Sequence, residues 1–374
     1  MDVLQGNQKP IKCRINLQKT EPHITPLDGL RGLAILLVLL GHYFQRFYLP
    51  KIGWIGLNLF FLLSGYLITS RLFHHANEGI RKYFTNFYGR RILRIFPLYY
   101  GCLIFFLFIL PIFYVNYIRY FSGLQDIQIW YWLYISNWLY ILKGIPNVPL
   151  FFHFWSLAVE EQFYLIWPFI FILTAASKRK LIILIIICIS ILTRLIVSAH
   201  GAYYNTLTAC EPLQLGCLLC VIEKEGTLIR YKKLLFAFAV FSLLGLLTIL
   251  SLNSDLHTSN TGLLRYGYTG IDLLLLFLLY TNIIGGKSSQ AVQRFFSMKW
   301  ICWLGKYSYG IYVFHWLILQ LFINRYDIRW VDGRQNIFAY FVIRLAAIIM
   351  LFVCSYLSYT LFEKRFLGLK KYFI

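Results

Sequence analysis

The chain has 374 residues, of which 59% are hydrophobic and 14% are charged, whereas a soluble domain averages about 45–50% apolar and about 25% charged residues. The polar surface that a water-soluble fold of this size needs is therefore missing, and this excludes an ordinary soluble enzyme. The net charge of +21 would suggest nucleic-acid binding in a soluble protein. Here the basic residues lie in short clusters between apolar runs, which is typical of Lys and Arg that set membrane topology. We expect no nucleic-acid partner. The basic residues could also attract an anionic ligand or anionic lipid headgroups.

The first 26 residues are polar and basic, and they lack the apolar core and the small-residue cleavage site of a secretory signal. We therefore expect an uncleaved cytoplasmic tail over 1–26, followed by an apolar run that acts as a signal anchor. The eight cysteines are scattered. Cys217 and Cys220 form a C-x-x-C pair without further ligands at metal spacing, so we interpret them as structural and expect no metal.

Apolar runs of about 17–25 residues, long enough to cross a ~30 Å hydrocarbon core, predict an all-α integral membrane fold with about ten transmembrane helices. The predicted spans are 27–45, 53–71, 95–115, 155–175, 181–198, 207–223, 234–252, 266–284, 301–323 and 336–361. With ten crossings, the connecting segments place 24 Lys and Arg residues on one side and eight on the other. This bias predicts that both termini are cytoplasmic, in an inner (plasma) membrane.

The apolar run 126–142 is ambiguous, because counting it as a crossing gives eleven helices and moves the basic segment 178–180 outside. It is rich in Trp and Tyr and also contains Asp126, Gln128 and Asn137. Aromatic rings with polar tips prefer the headgroup level to the bilayer centre. We therefore predict an interfacial or re-entrant segment on the outer face.

Ionisable groups within spans are costly, which makes them candidates for function. Arg31 and His42 are eleven residues apart, close to three helical turns, so both project from one face about 16 Å apart along the axis. Arg31 would lie near the cytoplasmic end and His42 deeper, toward the outer half. The structural alternatives are a snorkelling Arg31 and a His42 that hydrogen-bonds to a neighbouring helix.

Two further charged patterns lie at the ends of predicted spans. Arg91 and Arg94 are three residues apart and form a convergent pair suited to phosphates, although the same residues also act as a topology signal. The adjacent Glu160 and Glu161 point in directions about 100° apart. One carboxylate can face a central cavity while the other lies at a helix–helix contact, and capping of the helix N-terminus is the alternative.

Polar side chains within two other spans are candidate substrate contacts. Ser64 lies in a small-residue segment that otherwise predicts close helix packing. Ser308, Tyr312 and His315 lie along one helix face that would line a cavity or join helices. The remaining buried charges are expected mostly to pair structurally, and they are Asp28, Arg194, Glu211, Asp272 and Arg344.

The order of these motifs resembles that of the membrane acyltransferase-3 family, bacterial O-acyltransferases that modify surface polysaccharides and related glycans. The matching segments are 27–32, 60–68, 90–97, 155–164 and 308–315, together with the Arg-x10-His spacing of Arg31 and His42. The resemblance extends from residue 25 to about 368. It implies an acyltransferase-3 membrane domain over 27–368 and a cytoplasmic tail over 369–374.

The resemblance also implies ten core helices and an acyl-CoA donor, usually acetyl-CoA, which enters from the cytoplasmic side as a co-substrate without any bound cofactor. The Arg-x-x-Arg motif of the family falls on Arg91 and Arg94, and its Ser-Leu-x-x-Glu motif falls on Ser156, Leu157 and Glu160. We expect no extracytoplasmic esterase-like domain of the kind that some members carry after the membrane domain. We therefore expect the membrane domain or a partner to handle the acceptor.

From this resemblance we expect an O-acyltransferase that moves an acyl group from acyl-CoA to a hydroxyl of a cell-surface or lipid-linked glycan. His42 would be the general base or would carry a transient acyl group, and Glu160 or Glu161 would orient it. A transporter or flippase of glycan or lipid precursors, and a catalytically silent scaffold, are the alternatives.

The remaining candidate residues divide into two groups by expected role. The residues expected to bind the acyl-CoA phosphates are Arg31, Arg91 and Arg94. The residues expected to contact the thioester oxygen or the acceptor are Ser64, Ser308, Tyr312 and His315.

Overall fold

The computed structural model describes residues 25–44, 52–75, 79–113, 123–146, 150–253, 262–284, 286, 289–323 and 337–373. These residues form helices and connecting turns, without a β-strand among them. The first half contains α1 (Thr25–Tyr43), α2 (Gly53–His75), α3 (Ile80–Ile104), α4 (Leu124–Trp132), α5 (Ser136–Lys143), α6 (Phe154–Leu173) and α7 (Arg179–Ile196). The second half contains α8 (Ala199–Tyr204), α9 (Thr206–Lys224), α10 (Lys232–Asn253), α11 (Tyr268–Ile283), α12 (Gln290–Phe296), α13 (Lys299–Ile318), α14 (Ile337–Leu357) and α15 (Lys364–Gly368).

Several helices continue through wider turns. Three of the long helices run on into π-helical turns, and one is preceded by such a turn. These turns are Phe105–Ile109 after α3, Leu263–Gly267 before α11, Leu319–Ile323 after α13 and Ser358–Glu363 after α14. The last one joins α14 to α15, so the C-terminal segment forms one nearly continuous helical rod.

Eight helices within the described residues are long and apolar enough to cross a membrane, and they coincide with eight of the ten predicted spans. The other two predicted spans, 181–198 and 301–323, are also helical, as α7 and α13. Three charged residues lie within the 18 residues of α7, and α13 combines lysines and tyrosines with its apolar residues. The protein is thus an all-helical, multi-pass membrane protein, while ten crossings and cytoplasmic termini remain predictions.

The ambiguous run 126–142 folds as two short helices, α4 and α5, instead of one span. The chain turns between them at Tyr134, whose φ is 53°. The Gln162 amide of α6 donates to the Tyr134 carbonyl (2.8 Å) and to the Asn137 side-chain oxygen (2.9 Å). With nine and eight residues, neither helix has the ~17–25 residues of a spanning helix. The location of the pair at the outer face remains a prediction.

Close backbone contacts hold the central helices together. Helix α1 packs against α2 and α13, and α2 packs against α9. A Cβ on Gly65 would lie 1.8 Å from the Leu213 carbonyl oxygen of α9, and one on Gly305 would lie 1.8 Å from the Asp28 carbonyl oxygen of α1. Small residues of this kind let membrane helices approach closely. The close packing predicted around Ser64 is confirmed at its neighbour, Gly65.

Polar contacts hold several buried charges that lie away from the central cleft. The guanidinium of Arg194, which is 2% exposed, forms an ion pair with Glu211 and donates to Thr269 (2.5 Å). Asn58 donates to Asp272 (2.7 Å) in the same part of the bundle. Because an unpaired charge inside a bilayer is expensive, these contacts explain how polar residues persist in α7, α9 and α11. The expected structural pairing is confirmed for Arg194 and Glu211.

We expect Gly65→Ala to destabilise the protein, because the new methyl group would overlap the α9 backbone at Leu213. Overpacking of this kind costs about 1–3 kcal/mol, and rigid backbone relaxes poorly. The measurement is the thermal unfolding midpoint in detergent. Gly245→Ala is the matched control, because no atom lies within 4 Å of a Cβ at that helical position. Equal midpoints for the two variants would contradict the proposed close contact.

Candidate active site

A cleft enters the bundle between α1, α2, α3, α6 and α13 and contains about 700 Å³ of space unoccupied by protein atoms. Seven of the predicted site residues line it. They are Arg31, Ser64, Arg91, Arg94, Glu160, Ser308 and Tyr312. The five helices therefore bring together side chains that are up to 281 positions apart in the chain. The three other predicted residues, His42, Glu161 and His315, lie outside its wall.

The cationic end of the cleft is formed by α1 and α3. The guanidinium of Arg31 forms an ion pair with Asp28 one turn earlier in α1 (3.2 Å). Arg91 lies over the ring of Tyr164, with the guanidinium carbon 4.6 Å from the ring centre. Arg71 of α2 lies within electrostatic range of these arginines. Positive charge is therefore concentrated at this end of the cleft beyond what Asp28 balances.

A carboxylate fixed by hydroxyl groups lies at the centre of the cleft. Ser64 donates from its hydroxyl to one oxygen of Glu160 (3.0 Å), and the Tyr164 hydroxyl lies 3.0 Å from the other. Tyr164 is four residues after Glu160 in α6, so both project from the same helix face. Glu161 points elsewhere, and its Oε1 has no hydrogen-bond partner among the described residues. The two carboxylates diverge, as expected from their adjacent positions in a helix.

The far end of the cleft is formed by Ser156 of α6 and Tyr312 of α13, whose hydroxyls are hydrogen-bonded to one another. Both hydroxyls also lie 3.1 Å from the carbonyl oxygen of His153. Ser308, one turn before Tyr312, lines the same wall. The hydroxyl groups of Ser156 and Tyr312 thus converge at the His153 carbonyl, at the far end of the cleft.

Three histidines cluster behind Tyr312. The ring of His315 lies 5.1 Å from Tyr312, 5.3 Å from His42 and 5.1 Å from His153, measured between ring centres. His42 also contacts the edge of Trp316 (5.0 Å). His315 Nε2 and His153 Nδ1 are buried without a hydrogen-bond partner among the described residues. Such orphaned ring nitrogens are unusual and leave free proton-binding capacity in the cluster.

The expected orientation of His42 by Glu160 is not observed. In the described structure the carboxylate of Glu160 contacts Ser64 and Tyr164, while the ring of His42 contacts His315 and Trp316. The physical reason is that other side chains lie between Glu160 and His42. Ser156, one turn before Glu160, is hydrogen-bonded to Tyr312, and the histidine cluster lies on the other side of the Tyr312 ring.

Comparison with known proteins identifies the family. The model of the acyltransferase-3 family, described as an acyltransferase domain, matches residues 24–360. The chain belongs to the acyltransferase-3 family. The resemblance noted in the motifs is therefore confirmed over most of the chain.

Individual relatives carry O-acetyltransferase names. The chain is 28% identical over 349 residues to O-acetyltransferase OatA of Staphylococcus aureus (strain NCTC 8325 / PS 47), covering 88% of this chain and 55% of the relative. It is also 28% identical over 319 residues to peptidoglycan O-acetyltransferase OatA of Listeria monocytogenes serovar 1/2a, covering 80% of this chain and 50% of the relative. The chain thus spans about half the length of these relatives. No solved structure matches it significantly.

Three residues at the site of this acyltransferase-3 member were missed by sequence analysis. Tyr164 contacts both Glu160 and Arg91, and its position four residues after Glu160 was a usable signal. His153 precedes Ser156 by three residues, but a histidine before a span gives no indication of tertiary contacts. Arg71 at the end of α2 was counted only as a topology signal.

Proposed function

We propose that this protein is a membrane O-acyltransferase of the inner (plasma) membrane that transfers an acyl group, usually acetyl, from acyl-CoA to a glycan hydroxyl. One observation carries the proposal. A single cleft joins a cationic end to a hydroxyl-fixed carboxylate, Glu160, and to the hydroxyl pair of Ser156 and Tyr312. Membership of the acyltransferase-3 family and the names of the relatives support the same chemistry.

The donor would bind with its phosphates at Arg31, Arg91 and Arg94. Guanidinium groups form paired, charge-assisted hydrogen bonds with phosphate oxygens. Arg91 and Arg94 form no ion pair among the described residues, so the donor phosphates would supply the negative charge that pairs with them. The pantetheine arm would then extend along the cleft, so that the thioester lies near Ser156 and Tyr312.

In the transfer step, the acceptor oxygen attacks the thioester carbon, a carbon–oxygen bond forms, and the carbon–sulfur bond breaks. His42 takes the proton of the acceptor hydroxyl as general base and returns it to the departing CoA sulfur as general acid. Ser156 and Tyr312 would donate hydrogen bonds to the oxygen that becomes negative in the transition state. Tyr312 connects the two regions, because its hydroxyl lines the cleft and its ring contacts His315.

The acceptor would approach from the side of the histidine cluster, which the predicted topology places in the outer half of the membrane. The name of the Listeria relative makes a peptidoglycan hydroxyl the first acceptor to test. The decisive experiment supplies acetyl-labelled CoA to the purified protein, with and without glycan, and follows the label into an ester. A transporter or flippase would move glycan without forming any acylated product.

We expect His42→Ala to lower acyl transfer by about 10²–10⁴-fold, the usual contribution of a general base. The protein should still insert and fold, because His42 has ring contacts but no hydrogen bond to lose in the described structure. Label transfer is measured alongside the thermal unfolding midpoint. His74→Ala, an exposed position at the end of α2, is the control. Near-normal transfer by His42→Ala would remove this residue from the mechanism.

Replacing Arg91 or Arg94 with Ala should weaken donor binding before it affects any other step. Loss of a charge-assisted hydrogen bond costs about 1.5–3 kcal/mol, which corresponds to about 10–100-fold in Kd. Binding of acetyl-CoA is measured by calorimetry on the protein in nanodiscs. Arg81→Ala, an exposed position in the same helix, should leave Kd unchanged. Unaltered donor affinity in both cleft variants would refute the phosphate role.

Tyr164→Phe should reduce turnover by up to about tenfold. The substitution removes one hydroxyl contact to Glu160, worth about 0.5–1.5 kcal/mol, and keeps the ring beneath Arg91. Acetyl-CoA affinity should therefore change little while the rate of transfer falls. Tyr266→Phe, at a lipid-exposed ring (67% exposed), controls for loss of a tyrosine hydroxyl. A variant with an unchanged rate would show that Glu160 needs no support from Tyr164.

A further inference from the structure

A second cavity lies beside the cationic end of the cleft and contains about 710 Å³ of unoccupied space. Its walls come from α1, α3, α13, α14 and the helical segment that follows α14, so we call it the tail cavity. Arg31, Arg94 and Tyr309 line both the tail cavity and the cleft. The Tyr309 hydroxyl donates to the Ile95 carbonyl (2.7 Å), which fixes this shared wall. A long ligand that fills both cavities must pass these three side chains.

The tail cavity is cationic. Lys306 and Lys370 line it together with the two shared arginines. Lys370 is half-buried, and it lies within electrostatic range of four arginines, Arg71, Arg90, Arg91 and Arg94. Like charges held together in a partly buried space repel one another. This arrangement favours the binding of an anion with more than one negative group.

Two acidic residues also line the tail cavity, and both have partners. Asp28 is ion-paired with Arg31 (3.2 Å). Glu363 accepts a hydrogen bond from Ser358 (2.9 Å) in the turn between α14 and α15. These carboxylates therefore reduce the positive charge without cancelling it, since four basic side chains line the same space.

The tail cavity also has aromatic walls. The ammonium of Lys306 lies 5.3 Å from the ring centres of both Tyr307 and Tyr359, and both tyrosines line the cavity. Flat aromatic faces beside basic side chains form a stacking surface for a nucleobase next to phosphate-binding groups. A simple phosphate or a lipid headgroup would use the charges alone.

We propose that the tail cavity binds the phosphorylated nucleotide of acyl-CoA while the cleft takes the acyl-pantetheine arm. Lys306 and Lys370 pair with nucleotide phosphates, and Tyr359 packs against the base. Arg31 and Arg94, in the shared wall, hold the pyrophosphate that joins the two halves of the donor. This inference rests on the proposed function, because it requires acyl-CoA as the donor.

The test compares two donors on the full chain in nanodiscs of neutral lipid. Acetyl-CoA carries the nucleotide, whereas acetyl-pantetheine lacks it. We expect Lys370→Ala to weaken acetyl-CoA binding by about tenfold and to leave acetyl-pantetheine binding unchanged, because the truncated donor never reaches the tail cavity. Lys306→Gln, on a different helix, should give the same pattern and guards against a folding defect in the tail. Lys371→Ala is the matched control, since that residue is exposed and one position further on.

Each outcome decides between the proposals. If both lysine variants bind acetyl-CoA with the same affinity as the unsubstituted protein, the nucleotide subsite is overturned. The proposal that acyl-CoA is the donor is not affected by that result. Equal losses for both donors also overturn it, because the lysines would then act on the cleft. A loss that appears only in nanodiscs of anionic lipid assigns the tail cavity to a lipid headgroup instead. If the unsubstituted protein binds neither donor, the proposed function fails and this inference fails with it.

Discussion

The cost of burying charge among membrane helices decides where chemistry is located in this bundle. A charged side chain in hydrocarbon must be paired or must face a cavity. Arg194 meets this requirement by pairing with Glu211. The arginines of α1 and α3 meet it differently, since Arg31, Arg91 and Arg94 line a cleft and, of these three, Arg31 alone forms an ion pair among the described residues. The guanidinium groups without an ion-pair partner are therefore the feature that calls for a ligand, and the remaining groups of the cleft are arranged relative to them.

Helix packing and the cleft depend on neighbouring positions of the same helices. In α2, Gly65 packs on the backbone of α9, while the preceding Ser64 faces the cleft and donates to Glu160. In α13, Gly305 packs on α1, and Ser308 and Tyr312 face the cleft. Close backbone approach on one face fixes the rotation of each helix. That rotation in turn determines which polar side chains face the cleft, so packing errors would displace functional groups as well.

Much of this could be predicted from the sequence, because hydropathy and helical spacing are local. Apolar runs located the helices, and the spacing of Arg91 and Arg94 placed both on one cleft wall. Contacts between distant segments were not accessible in the same way. The separation of Glu160 from His42 depends on Ser156 and Tyr312, which join α6 to α13 across 156 positions. For the same reason, sequence analysis could not identify the contacts of His153 or the tail cavity, whose lysines come from helices far apart in the chain.

The proposed function requires one cleft to serve two substrates that approach from opposite sides, and the geometry of α1 is compatible with this. Arg31 and His42 lie on one helix about 16 Å apart along its axis, which is about half of a ~30 Å hydrocarbon core. A donor held by its phosphates at Arg31 needs a long, thin, uncharged arm to bring the acyl carbon toward His42. Pantetheine has this character, and the lining of the cleft includes both the charged groups and the hydroxyl groups between which the arm would extend. In the proposed mechanism the flexible part of the donor covers this distance, and the helices need only hold their positions.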